Sequence, residues 1–358
     1  MSETTPSATL FRTDAIPATG TGHAMRCLAL AEALAVHGKG SRFLMTGVPP
    51  LLAQRISSEG FPVEPHDHGL GTDADAKATV AAARRIGARW IVLDGYAFTE
   101  AYIDTLASSG IPTLVIDDLG KLSHYACDIV VNQNLHVERA LYPNVAPSAH
   151  LLLGTRYMML RREFWRYRDA RRAARTGTPR VLVSMGGSDP QDHASRAIEA
   201  LERLSGRGLE AVVVVGAANP RLDTLRRRAL ESAADITVLH NVEDMPALMR
   251  EVDLAVAAAG TTVWELAYMG VPMLLGSTVE AERVLAHRLA HEKGCVYVGD
   301  FHDCTPEQLA RAIARLVEDA ALRRNLADAA AILVDGKGGE RIVSAMQAAS
   351  QAEVTHAA

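Results

Sequence analysis

Three times along this chain a run of strand length, alternating in the first case and apolar in the other two, leads through a glycine-containing turn into a helical pattern. Ala8–Asp14 precedes Gly20-Thr21-Gly22-His23 and a run with Met25, Leu28, Ala29 and Leu34 on helical spacing. Residues 180–185 precede Gly186-Gly187-Ser188-Asp189-Pro190 and a helix over 194–204, and residues 253–258 precede Ala259-Gly260-Thr261-Thr262 and a further helix. Strands that are apolar on both faces belong in a parallel sheet covered by helices, and the repeated order of strand, turn and helix is the construction of a doubly wound α/β fold. The intervening sequence alternates in the same way. Strands are predicted at 41–46, 90–94, 113–117, 128–134 and 151–154, then at 210–215 and 235–240, and the last sheet is expected to end with residues 270–275.

With 358 residues, 48% of them hydrophobic, the chain is long enough for two soluble domains of ordinary size. An arginine-rich stretch over 161–179, closed by Gly177-Thr178-Pro179, reads as the linker. The expected division is therefore 1–160, then 180–345, with 346–358 as a frayed tail. A net charge of -5 provides no bulk attraction for nucleic acid or an anionic membrane, and no stretch is long and apolar enough to span a bilayer. Cys27, Cys127, Cys295 and Cys304 are scattered, without metal-ligand spacing, so neither a disulfide framework nor a metal site is expected. Residues 1–9 lack the basic start and apolar core of a signal peptide, and a cytoplasmic location is expected.

His23 is delivered by the glycine turn to the first turn of a helix, where the dipole disfavours an imidazolium, as suits a general base. In a doubly wound sheet, ligands gather beyond the carboxyl ends of strands, which puts Asp94, Tyr96, Asp117 and Asp118 with His23. Tyr96 is singled out because Gly95 allows an unusual backbone beside it, whereas the aspartates also suit turn-holding. Asn132 and Asn134 can hydrogen-bond a sugar or hold a turn. In the second half, Gly187 and Ser188 form one anion nest and Gly260, Thr261 and Thr262 a second, each at a strand end beside a helix start. Two such nests suggest a nucleoside diphosphate, although neither pattern is a Walker A loop or a dinucleotide fingerprint. Glu265 is placed to accept from ribose hydroxyls, or to close a capping box with Thr261 or Thr262.

Taken together, Phe11-Arg12-Thr13-Asp14, Gly20 to Cys27, Leu93-Asp94-Gly95-Tyr96, Ile116 to Gly120, Val131-Asn132-Gln133-Asn134, Leu153 to Tyr157, Val183 to Pro190, Asn241 to Pro246 and Gly260 to Glu265 resemble the PseG/SpsG family. The resemblance runs in order from about residue 10 to residue 275. It implies a fold similar to the GT-B glycosyltransferases of the MurG type, two Rossmann-like doubly wound domains facing across a cleft. It also implies the activity of a UDP-sugar hydrolase of pseudaminic acid-type nonulosonate biosynthesis. On that likeness His23 is the base acting on water, with Asp14 and Tyr96 nearby, and the main chain around Val242 meets the uracil. Gly187, Ser188, Gly260, Thr261 and Thr262 hold the diphosphate, Glu265 takes the ribose, and Gly22, Arg26, Asn132 and Asn134 contact the substrate. The sequence departs from the family after the last expected strand, where an acidic residue followed by Asn-Gln is replaced by Thr278-Val279-Glu280-Ala281-Glu282-Arg283. A carboxylate near a diphosphate is repulsive unless Arg283 offsets it.

The expected function is thus cleavage of the anomeric C1–O bond of a UDP-sugar with inversion, with no cofactor and a small-molecule nucleotide sugar as the partner. The alternatives are a GT-B glycosyltransferase, in which an acceptor hydroxyl replaces water, and a nucleotide-sugar binding protein without turnover.

Overall fold

The computed structural model describes residues 8–16, 20–167 and 176–357, with residues 352–357 by backbone alone. Residues 1–7, the loop at Pro17 and the linker stretch 168–175 lie outside the described residues.

Contacts divide the chain into two units, Met1–Arg162 together with Lys337–Ala358, and Glu163–Gly336. The first unit holds strands β1 (Ala8–Asp14), β2 (Gly40–Thr46), β3 (Val63–Pro65), β4 (Ala88–Asp94), β5 (Thr113–Ile116), β6 (Ile129–Asn132) and β7 (His150–Leu153). They form one sheet in the order β3-β2-β1-β4-β5-β6-β7, every neighbouring pair parallel. The second unit holds β8 (Arg180–Ser184), β9 (Glu210–Val215), β10 (Asp235–His240), β11 (Leu254–Ala258), β12 (Met273–Ser277) and β13 (Val296–Asp300). Their order is β10-β9-β8-β11-β12-β13, again parallel throughout. Both sheets reverse direction beside their first strand, between β1 and β4 and between β8 and β11. Such reversals leave a crevice outside the strand ends, where ligands bind in this class of sheet.

Two strands escape the sequence pattern. β3 is three residues long and ends in a proline, too short for a period to register. β13 was not expected because the sheet was to end with residues 270–275; it pairs with β12, and all five of its residues are partly exposed, so no apolar run marks it.

The last helix, Gly338–Ala357, corrects the division at 345 and the frayed tail at 346–358: it packs with the first unit. It lies against helix Gly22–Val36, which also touches β1, β2 and β4. That double cover explains why the alanine- and leucine-rich helix 22–36 is buried nearly all round instead of along one stripe. Trp90 Nε1 donates to Ser350 Oγ at 3.0 Å, joining β4 to the returning helix.

Beneath the first sheet is a charged core. Arg12 of β1 is fully buried and meets Asp75 through two bonds, Nε to Oδ1 at 2.9 Å and Nη2 to Oδ2 at 2.7 Å. Asp75 sits in the first turn of helix Asp73–Arg85 and also accepts from the Gly71 amide and the Tyr102 hydroxyl, both at 2.9 Å. Burial alone would raise its pKa, but the Arg12 fork and charge outweigh burial and lower it to about 2. A folded pKa below the ordinary value means stability that is present above about pH 4 and lost as pH falls toward 2. Asp75→Ala strands the Arg12 guanidinium in the core and is expected to destabilise the chain by about 3–5 kcal/mol in chemical denaturation. In the same measurement the acid loss of stability between about pH 4 and pH 2 should shrink relative to the parent.

Candidate functional site

His23 and Arg26 lie one turn apart on the same face of helix Gly22–Val36, and β4 places Asp94 against both. His23 Nδ1 is 2.6 Å from Asp94 Oδ1. Arg26 donates Nε to Asp94 Oδ2 at 2.5 Å, Nη2 to Oδ1 at 2.6 Å and Nη1 to Asp118 Oδ1 at 2.8 Å. Asp94 is fully buried and His23 is 6% exposed, so this array is screened from water but has one edge open. Burial acts to raise the Asp94 pKa, and the adjacent Arg26 and His23 overcome it, holding the carboxyl below its ordinary value. Asp94 is therefore ionised; Arg26 Nη2, a donor, also approaches His23 Nδ1 at 3.1 Å, but the shorter carboxylate contact at 2.6 Å decides for Nδ1–H, which leaves Nε2 with its lone pair.

Tyr96 lies edge-on to the His23 ring, with centroids 4.6 Å apart, and its hydroxyl donates to Asp118 Oδ2 at 3.3 Å. Its ring is 53% exposed, so it forms the rim of the array. Burial of the phenol and the charge of Asp118 push its pKa up, and it stays protonated at neutral pH. Asn134 donates Nδ2 to Asp118 Oδ1 at 3.1 Å and joins the same group. Cys27 is a buried thiol whose pKa is pushed up by burial and by Asp94.

Other expected residues take different places. Asp14 is buried at the end of β1 beneath Gly95, where a Cβ would come within 2.9 Å of its Oδ2. Gly95 has the unusual backbone the sequence suggested, with φ at 158°, and it also gives clearance to Asp14 and to the Phe98 ring at 3.0 Å. Asn132 is 1% exposed and uses Nδ2 on the Tyr142 hydroxyl and Oδ1 on the Asn134 amide, so it holds the turn rather than facing a substrate. Asp117 likewise accepts from the amides of Leu119 and Gly120 and from the Tyr125 hydroxyl. Gly22 opens the helix that carries His23.

In the second unit the turn after β8 is packed from below by Gly216, where a Cβ would meet Gly187 O at 2.4 Å. Arg221 fastens the turn from the far side, donating to Asp189 O at 3.0 Å and Pro190 O at 3.1 Å. The helix start at His193 already carries a carboxylate: Asp189 accepts from the amides of His193 and Ala194 at 2.8 and 2.9 Å. This corrects the expectation that this helix start receives an external anion. The turn after β11 is built otherwise. The Ala259 amide closes the sheet on Gly276 O, and the N-cap Thr261 makes no side-chain cap bond, so Glu265 does not complete a capping box with it. In this seven-residue helix the Val263 and Trp264 amides already turn back on Gly260 O and Thr261 O, both at 3.2 Å. Asn241, in the left-handed region at φ 47°, turns the chain after β10 and exposes the backbone around Val242. Arg283 pairs with Glu280 through Nε at 2.7 Å rather than offsetting Glu282.

Sequence reasoning undervalued Asp94, which it put among residues that also suit turns. The spacing of His23 and Arg26, three apart at a helix start, was the available signal, because both then face one acceptor. Among the described residues no group of three or more His, Cys, Asp or Glu is placed to hold a metal ion, and no helix is long and apolar enough to cross a membrane.

Two parallel sheets with this strand order, each with a polar turn cluster at its reversal point, define a GT-B glycosyltransferase-like fold. A family model described as glycosyl transferases group 1 matches residues 179–319. The structure of Acinetobacter baumannii MurG superposes with a TM-score of 0.66 at 19% identity, covering 96% of this chain and 99% of that one. The spore coat polysaccharide biosynthesis protein SpsG of Bacillus subtilis is 27% identical over 206 residues, which are 57% of this chain and 58% of SpsG. A UDP-N-acetylglucosamine--N-acetylmuramyl-(pentapeptide) pyrophosphoryl-undecaprenol N-acetylglucosamine transferase of Thiobacillus denitrificans is 33% identical over 150 residues, 40% of each chain. The chain spans little more than half the length of SpsG. The likeness to SpsG and the superposition on MurG both agree with a PseG/SpsG-like chain of GT-B fold.

The Asp94 contact dictates a single neutral tautomer for His23. A long-range 1H–15N correlation spectrum of the neutral ring is expected to show Nδ1 protonated and Nε2 bare. Asp94→Asn should mix or reverse the tautomers, and an unaltered nitrogen pattern in that variant would contradict the assignment.

Proposed function

We propose that this chain cleaves the anomeric C1–O bond of a nucleotide sugar, with His23 Nε2 taking the proton of the hydroxyl that attacks C1. The observation that carries the reading is the Asp94–His23 pair at the reversal point of the first sheet. An ionised carboxylate fixes the tautomer, frees Nε2, and supplies the negative charge against which an imidazolium forms during proton transfer. Arg26 holds Asp94 in place and keeps it ionised, so it acts on the base and not on the substrate.

The second unit takes the nucleotide. Amides of the Gly187-Ser188 and Gly260-Thr261-Thr262 turns stabilise charge that develops on the leaving diphosphate, the Val242 backbone meets the base, and Glu265 accepts from the ribose. A single displacement on the face opposite the diphosphate inverts C1.

The incoming hydroxyl is that of an acceptor, making the protein a glycosyltransferase; the family model and the transferase relative favour this reading. Hydrolysis is the second reading, favoured by the motifs shared with the PseG/SpsG family around His23. UDP-N-acetylglucosamine is the first donor to try. UDP release that needs an added alcohol supports transfer, whereas rapid release of UDP and free sugar in buffer alone supports hydrolysis; UDP binding without product under either condition leaves a binding protein without turnover.

His23→Gln is expected to lower turnover about a thousandfold, within the span of general-base contributions, with UDP affinity by calorimetry within about twofold of the parent. Asp94→Asn should lower turnover by about a hundredfold or more through the tautomer. Unchanged turnover in His23→Gln would remove the base from the mechanism.

A further inference from the structure

The helix Glu280–His291 opens with its third residue, Glu282, folded back on its own start: Oε2 accepts from the Thr278 amide and the Thr278 hydroxyl, both at 2.8 Å. Those two bonds fix the side chain. The other oxygen, Oε1, stands 3.4 Å from where a Cβ on Gly260 would lie, so the carboxyl overhangs the turn read above as the diphosphate site. The cation nearest in sequence, Arg283, is engaged with Glu280.

We propose that Glu282 is a phosphate-facing residue whose carboxyl, in its protonated form, donates a hydrogen bond from Oε1 to a diphosphate oxygen at the Gly260 turn, so that nucleotide binding takes up a proton from solvent. The inference rests on the reading of Gly260, Thr261 and Thr262 as the diphosphate site. An ionised carboxylate at this distance from a diphosphate is repulsive, whereas a carboxylic acid is a donor to the same oxygens. The surroundings favour the acid. Burial pushes the Glu282 pKa above its ordinary value, against the pull of the Thr278 bonds, and Asp300 at the end of β13 adds a like charge. The other charged groups on the neighbouring elements are Glu265, one turn into the helix that follows Gly260, the mutually paired Glu280 and Arg283, His287, Arg288 and His291 further along the same helix, and His302 and Asp303 just past β13. The chief influences on Glu282 are burial, the Thr278 and Val279 bonds and Asp300, with no cation among them.

A group whose pKa rises on binding makes affinity highest below its free-state pKa. Affinity then falls by up to about tenfold per pH unit as pH climbs from the free-state to the bound-state value. Titration calorimetry of UDP into the full chain, from about pH 6 to about pH 8.5, tests this. The parent is expected to lose about tenfold more affinity over that range than Glu282→Gln, which keeps an acceptor for Thr278 and an uncharged donor toward the phosphate. The difference between the two proteins removes the titration of UDP itself. Repeating the titrations of both proteins in buffers of different ionisation enthalpy should show proton uptake by the parent beyond that of Glu282→Gln, and equal uptake in the two overturns the proposal. Parallel pH profiles for the two proteins, or a Glu282→Gln chain that loses UDP affinity equally at every pH, overturn it as well. A parent chain that binds no UDP at any pH refutes the nucleotide reading itself, which distinguishes that failure from the failure of Glu282.

Discussion

The ion pair between Arg26 and Asp94 is the interaction on which the first unit's chemistry depends. Its two short bonds bury a carboxylate that would otherwise be costly to enclose, and that carboxylate in turn orients His23. Remove the guanidinium and Asp94 faces burial with the imidazole and the weak Cys27 thiol donor, 3.6 Å from Oδ2, in its place. Arg26 has a second carboxylate, Asp118, which gathers Tyr96 and Asn134. One arginine thus connects the end of β4, the end of β5 and the start of a helix, and the fork geometry of guanidinium suits this better than a lysine point charge would.

The two sheets share an order but fill their reversal points with opposite materials. In the first unit the crevice is lined by side chains with formal charge, held rigid by one another. In the second it is lined by backbone, brought close by Gly187 over Gly216 and by Gly260 beneath Glu282. Fixed charges and a positioned imidazole suit proton transfer, while an amide-lined turn suits an anion. The second unit complicates this pattern with carboxylates of its own: Asp189 occupies one helix start and Glu282 overhangs the other turn. Both are pushed toward their neutral forms, chiefly by burial.

Much of this architecture was legible in advance. β1 has the bounds the alternation predicts, and the glycine turns at 20–22, 186–187 and 260 stand where strands pass into helices, because hydrophobic period and turn chemistry are local properties. The strands that escaped, β3 and β13, are a three-residue piece and a partly exposed edge, where period carries no signal. Asn132 is open in the sequence to a sugar or a turn and Asp117 to the cleft beside His23 or a turn, and burial and hydrogen bonds give both to turns.

By itself the sequence determined the fold class, the presence of His23 at a helix start and the glycine turns, since each follows from neighbours within a few residues. Only the tertiary structure decided that Asp94, 71 positions from His23, is its partner, and that Gly95 is small to clear Asp14. It also decided that the last helix returns to the first unit and that Glu282 meets Gly260. These are contacts between segments distant along the chain. Which carboxylate an arginine chooses depends on burial and geometry after the sheets have formed, and no local period encodes that choice.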